Sequence, residues 1–300
     1  MKQQPFATYS VLRGNNLFRP SKERDLVWEP VPNAKRGLVS INSAGFRGRD
    51  FAAEPPTGVS RIAVLGDSET FGEQLREEDT IAGCLQSELA RVNPDRKYEV
   101  LNFGIVGYNT AQEFSLLKKR VIQYKPSMVI VYYVFNDPEI YSPIQFVKPG
   151  KLSKLYLYQF FQYSSLSLRS INEQRIKAGN VVDYFKLLHD SIYFDAVKSV
   201  LSEMSTFLAE RDIPMVLLIA PEIYEVKDFS ANYPYREIHQ KLKSLETRQM
   251  KVIDPLDEMS RRFTDPKKLW VNPYDQHKNA EATAAIASVA APEIVTLLGK

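Results

Sequence analysis

A serine hydroxyl attacks an ester only when a base takes its proton and donors hold the oxyanion that forms. The chain has three histidines in 300 residues, so candidates for that base are few. His277 lies in LWVNPYDQHKNAEATAAIA, just before the last helical stretch, with Asp275 two positions earlier. The Asp275 carboxylate can reach one ring nitrogen of His277 and leave the other for a serine. His189 and His239 stand in ordinary amphipathic helical text and are read as structural. The serine with the best setting is Ser68, in AVLGDSETFGEQL from Ala63 to Leu75. There an apolar run stops on Gly66 and presents Asp67, Ser68, Glu69 and Thr70 before Gly72. Donors come from two more loops. NFGIVGYNT, Asn102 to Thr110, carries two glycines before a helix N-terminus, which exposes backbone N–H groups, and VFNDPE puts Asn136 at a strand tip. Singly, each has a plainer use: glycine for conformation, Asn-Asp-Pro for stopping a strand. Their convergence points to nucleophilic chemistry rather than phosphate binding, since GDSETFG lacks both the Gly-rich fingerprint and a P-loop lysine.

Such convergence requires parallel strands that end on one edge. Short apolar runs place strands at Ile62–Leu65, Glu99–Phe103, Met128–Phe135, Met215–Ala220 and Val252–Asp254. Between the first two, Asp79 or Thr80 caps a helix whose Ile81, Cys84, Leu85, Leu89 and Val92 repeat at helical spacing until Asn93-Pro94. Thr110-Ala111-Gln112-Glu113 reads as a capping box opening the next helix, which runs through Leu116, Leu117 and Val121 before Pro126. A further helix is expected near Asp195–Arg211. Strands separated by helices of this length form parallel βαβ crossovers. The expected class is α/β: a three-layer α/β/α sandwich around a mostly parallel, five-stranded, flavodoxin-like sheet, occupying residues 58–300.

Residues 1–57 carry few periodic apolar positions and several turn formers, and read as an extended arm packed on that body. Within it, INSAGFRGRD suggests a turn that anchors Phe46 and points Arg47 at something, with a packing turn and a solvated Arg47 as the favoured reading. An insert at about 139–194 is too long for a plain connection. Its Tyr156, Tyr158, Phe160, Phe161 and Tyr163 are read as one face of a core helix, with a lid over the strand ends as the sharper alternative. The apolar fraction of 44% suits a globular core, and a net charge of +3 with scattered lysines and arginines argues against nucleic acid as a partner. The single cysteine, Cys84, rules out an internal disulfide and a cysteine-based zinc site, and is read as packed. No metal or cofactor is expected. No stretch reads as long enough to span a bilayer, and the first thirty residues lack the apolar core of a signal peptide. That reading favours a cytoplasmic location, or a periplasmic or membrane-associated one if an anchor preceded Met1.

Gly66-Asp67-Ser68, then Gly107 in NFGIVGYNT, then Asn136-Asp137, then Asp275-Gln276-His277 resemble, in order, the four blocks of the SGNH/GDSL hydrolase superfamily, over residues 61 to about 295. The resemblance implies Ser68 as nucleophile, His277 as general base and Asp275 as its orienter. It also implies an oxyanion hole made of the Ser68 and Gly107 backbone N–H groups and the Asn136 side-chain amide. Asp67, Glu69, Phe135 and Asp137 border these groups and are expected to contact substrate. The activity implied is that of a serine esterase acting on small acyl esters, chiefly acetyl, carried on a saccharide. An O-acyltransferase and a non-catalytic carbohydrate-binding partner are the alternatives on the same fold. The NSAGFR turn is similar to members associated with bacterial polysaccharide modification. Three positions depart from the pattern. Asp275 precedes His277 by two positions rather than three, a spacing similar to alginate-type O-acetyltransferases. Phe135 replaces a small residue and is expected to narrow the pocket. Glu69 follows the serine, where a carboxylate would repel an anionic substrate or raise the pKa of His277.

Overall fold

The computed structural model describes residues 17–139, 179–229 and 232–299. Along the N-terminal segment short strands pair antiparallel, β1 (Phe18–Pro20) with β2 (Trp28–Pro30) and β3 (Lys35–Arg36) with β4 (Val39–Ser40). Phe18, Trp28 and Val39 are buried, so this segment lies against the body. Strand and helix then alternate. β5 (Val59–Leu65) leads to α1 (Ser68–Phe71) and α2 (Ile81–Val92), and β6 (Lys97–Asn102) to α3 (Thr110–Leu116). β7 (Met128–Tyr133) is followed by α4 (Val181–His189) and α5 (Ile192–Ala209), β8 (Met215–Ile219) by α6 (Arg236–Lys243), and β9 (Met250–Ile253) by α7 (Leu256–Arg262). A hairpin of β10 (Trp270–Asn272) and β11 (Asp275–Lys278) precedes the last helix, α8 (Ala280–Leu298).

Five strands form one parallel sheet in the order β6-β5-β7-β8-β9. Every residue of β7 and β8 is buried, as expected of strands covered on both faces, and this is why they read as unbroken apolar runs. Because β6 and β7 flank β5 on opposite sides, right-handed crossovers place α2 and α3 on opposite faces. The packing agrees: α8 lies on α2, and α5 lies on α3. The result is the expected α/β/α sandwich, with the reversal of strand order at β5 and β7. In open α/β sheets that reversal opens a crevice beyond the strands' carboxyl ends.

The limits of several elements differ from the sequence expectation for local reasons. Val134 and Phe135 leave the ladder of β7, because the Asp137 carboxylate turns back to accept the Val134 N–H at 3.3 Å. The capping box lies one residue earlier than expected: Asn109, not Thr110, caps α3, taking the Gln112 N–H at 3.0 Å and receiving its side chain in return. Thr80 caps α2 as read. Within the expected insert, residues 140–178, including its five singled-out aromatics, lie outside the described residues. Contrary to the sequence reading, α8 is long and apolar enough to cross a membrane by length and composition. Its Ala282, Ile286, Ala290 and Ile294 are buried in the protein.

Among the charged side chains buried in the core, Arg61 is the one carried by the central sheet's β5. Arg61 on β5 is 0% exposed; its Nε donates to Glu99 Oε2 at 2.7 Å, and its Nη1 to the Ala53 and Tyr124 carbonyls at 2.9 and 2.7 Å. Removing one partner of a buried ion pair leaves the other stranded. Arg61→Met is expected to lower the unfolding free energy by about 3–5 kcal/mol, read as a lower urea midpoint at unchanged slope.

Candidate active site

At the carboxyl end of β5 the backbone turns at Gly66, where an added Cβ would sit 2.0 Å from Thr70 Oγ1 and 3.1 Å from the Tyr132 carbonyl oxygen. Only glycine fits there. Asp67 then caps α1 by accepting the Glu69 N–H on Oδ1 at 2.8 Å. Ser68 takes the first helical position, which leaves its backbone N–H outside the intrahelical ladder. Its Oγ lies 2.9 Å from Nε2 of His277, a residue 209 positions further along the chain. His277 Nδ1 lies 2.5 Å from Asp275 Oδ1, which also accepts the His277 backbone N–H at 3.1 Å. The other Asp275 oxygen takes the Gln74 amide, whose carbonyl takes the Asn272 amide at 2.7 Å. Serine, histidine and aspartate therefore stand in a row, and Gln74 holds the far end.

The charges around this row favour imidazolium. Burial opposes the charged form, but the Asp275 hydrogen bond and the charges of Glu69, Asp275 and Asp67 outweigh it and raise His277 to about 9. Burial likewise pulls the Asp275 carboxyl up, and the hydrogen bond and charge of His277 bring it below its ordinary value. The imidazole still exposes 48% of its side chain, so a ligand can reach it.

The two donor loops lie beside Ser68. Asn136, beyond β7, donates its amide to Asp67 Oδ2 at 3.2 Å, and Ser68 Oγ donates to the same oxygen at 3.2 Å. The loop after β6 is tied to the Ser68 turn by Ile105 N–H to the Gly66 carbonyl at 3.0 Å and by the Asn102 amide to the Thr70 carbonyl at 2.7 Å. Gly104 permits this approach, since a Cβ there would meet the Phe71 nitrogen at 2.5 Å. Gly107 follows with φ +76, and Trp28 from the arm backs it, 3.2 Å from where its Cβ would be. The Trp28 indole N–H donates to the Val106 carbonyl at 2.9 Å. In a trans peptide the carbonyl and the next N–H point opposite ways, so this bond turns the Gly107 N–H away from the indole.

Four residues expected at the substrate face are engaged within the protein. Asp67 is 1% exposed and serves the Glu69, Ser68 and Asn136 groups. Phe135 is buried among Phe185, His189, Tyr235 and His239, so it fills the core instead of narrowing a pocket. Asp137 is buried too, and burial, with Glu113 and Asp67 nearby, pushes its carboxyl well above the usual range. Glu69 is paired with Lys278. Arg47 also corrects its reading as solvated. It is buried, donates from Nη1 to the Phe71 and Gly72 carbonyls at 2.6 and 2.5 Å and from Nη2 to the Leu75 carbonyl at 2.5 Å, and closes the end of the Ser68 turn. Burial lowers its pKa to about 10, so it stays charged at neutral pH. His189 is held by Tyr133 and Phe185, and burial lowers it to about 4; His239 pairs with Asp254 at 2.8 Å, and both side chains are structural. Cys84 is buried, which raises its thiol pKa.

The chain has the α/β/α fold of the solved structures it resembles, SGNH/GDSL hydrolases among them. A catalytic mutant of Axe2, an acetylxylan esterase from Geobacillus stearothermophilus, matches with a TM-score of 0.50 and 15% identity, over 78% of this chain and 94% of that one. A second Axe2 mutant, described as an acetyl-xylooligosaccharide esterase, matches with a TM-score of 0.50 and 16% identity over the same shares. TesA matches with a TM-score of 0.48 and 14% identity, over 79% of this chain and 99% of that one. No protein-family profile and no curated protein sequence matches the chain.

Trp28 separates hydrogen bonding from packing. Trp28→Phe keeps an aromatic ring against Gly107 but strands the Val106 carbonyl, and is expected to cost about 1–3 kcal/mol of unfolding free energy. Trp28→Ala, which also empties the ring's volume, is expected to cost about 3–5 kcal/mol. Denaturant titration of both variants measures the difference.

Proposed function

We propose that this protein is a serine esterase that cleaves small acyl esters, acetyl above all, carried on a carbohydrate. The observation that carries the proposal is the row of Ser68 Oγ, His277 and Asp275, with contacts of 2.9 and 2.5 Å. In this reading Ser68 Oγ attacks the ester carbonyl carbon while His277 Nε2 takes the hydroxyl proton. The tetrahedral oxyanion is met by the Ser68 and Gly107 N–H groups and by the Asn136 amide, which pivots from Asp67. Collapse breaks the bond to the alcohol oxygen, and His277 returns the proton to that leaving group. Water, deprotonated by the same imidazole, then attacks the acyl-Ser68 carbonyl and releases the acid. Asp275 holds the ring and steadies the imidazolium. The acetyl and saccharide assignment draws on the likeness in fold to Axe2, described as an acetylxylan esterase.

The first test is release of p-nitrophenol from the acetyl ester. Ser68→Ala is expected to reduce turnover on the order of 10⁶-fold, to background, with the fold retained; undiminished activity would refute the assignment. Asn136→Ala is expected to lower kcat by roughly 10²–10³-fold, the effect of losing one oxyanion donor.

The pH dependence has a definite sign. The base works only as neutral imidazole, and its pKa is raised to about 9. kcat/KM is therefore expected to climb with pH through neutrality and to level off above about 9. A plateau already reached at pH 7 would show that the charges around His277 do not act as described.

A further inference from the structure

The hairpin that carries His277 is not part of the central sheet: among the described residues, β10 and β11 pair only with each other. The ladder that fixes the end of β5 therefore does not fix the distance from Ser68 to His277. Something else must hold the two together across 209 residues of chain.

A second contact runs beside the first, one residue further on from each partner. Lys278 Nζ donates to Glu69 Oε1 at 3.1 Å, and the Lys278 backbone N–H donates to Glu69 Oε2 at 3.3 Å. Both carboxylate oxygens of Glu69 are thus spent on β11. The Lys278 side chain is 2% exposed and that of Glu69 13%, so water does little to weaken the pair. The backbone bond fixes the height of β11 against α1, and the ion pair keeps it from sliding. With its charge matched by Lys278, Glu69 is also a poor source of repulsion toward an anionic substrate.

We propose that Glu69 and Lys278 are positioning residues, a buried ion pair that clamps β11 to α1 and so sets the approach of His277 to Ser68. The clamp takes its catalytic meaning from the esterase reading above. The charged groups near the imidazole are Asp275 on its own strand, Asp67 and Glu69 at α1, and Lys278 beside it, with Glu222 in the field of Glu69 and Lys278. Glu69 favours imidazolium, and a cation at Lys278 works in the opposite sense by the rule that like charges disfavour ionisation. Removing one charge of the pair moves His277 one way, and removing the other moves it the opposite way.

The test uses the full chain as wild type, Glu69→Gln, Lys278→Met and the double variant. Each is measured for p-nitrophenyl acetate hydrolysis, denaturant stability and the NMR titration of His277, assigned by its loss in His277→Gln. Glu69→Gln is expected to shift the His277 titration to lower pH, and Lys278→Met to higher pH. Each single variant is expected to lower kcat by on the order of ten- to a hundredfold with KM little changed, the effect of slight misplacement of a base. The double variant, which strands neither charge, is expected to keep more activity and stability than either single one. If the folded single variants keep both kcat and the wild-type His277 titration, the clamp is overturned. If a single variant does not fold, the double variant decides: wild-type kcat there overturns the clamp, and reduced kcat supports it. If wild type itself does not hydrolyse the ester, the esterase reading fails and the clamp is judged on stability: a coupling between Glu69 and Lys278 in the double-variant cycle supports it, and additive losses overturn it.

Discussion

One buried carboxylate organises the end of the sheet. Asp67 places Oδ1 on the Glu69 N–H and Oδ2 on both the Ser68 hydroxyl and the Asn136 amide. It therefore joins the loop after β5 to the loop after β7, across the point where strand order reverses. Burial raises its pKa, yet those three donors and the His277 charge reward the ionised form. A protonated Asp67 would still cap α1 more weakly but would hold the serine and the amide less well. The position of the proposed oxyanion donor thus depends on the charge of a side chain that has almost no contact with water.

The N-terminal segment supports the same site from behind. Arg47 collects carbonyls of α1 and its following turn, at Phe71, Gly72 and Leu75, and Trp28 holds the Val106 carbonyl. Tyr108 returns the contact by donating its hydroxyl to the Trp28 carbonyl at 2.5 Å. These bonds come from residues far away in sequence and act on backbone, so they constrain directions of peptide groups rather than side-chain chemistry. The arm is therefore a brace for two loops of the candidate site as well as a cover for apolar surface.

The five strands and the two well-capped helices after β5 and β6 were legible because buried parallel strands and amphipathic helices impose opposite, readable periodicities. Ser68, His277 and Asp275 were legible because each stands at a break in that periodicity. What could not be read was the inward fate of charged residues. Arg47, Asp67, Asp137 and Lys278 are types that normally face water, and only a distant partner or a closed environment makes burial tolerable. Asn109 and Thr110 show the same limit locally. Both can cap a helix, and the choice rests on Asn109 also donating to the Glu139 carbonyl at 3.0 Å, a contact thirty residues away. Trp28 offered one signal, as one of only two tryptophans, in a segment otherwise poor in apolar periodicity.

The separation of the β10–β11 hairpin from the main ladder divides the molecule into parts of unequal cooperativity. The strand that leads to Ser68, β5, belongs to a sheet that opens only when the whole core does. The strand carrying His277 is held by a few side-chain contacts and by the start of α8. Such a small unit opens at a lower free energy than the global transition. The heat tolerance of the row of Ser68, His277 and Asp275 is therefore set by the hairpin's local equilibrium, and stiffening the core alone would leave it unchanged.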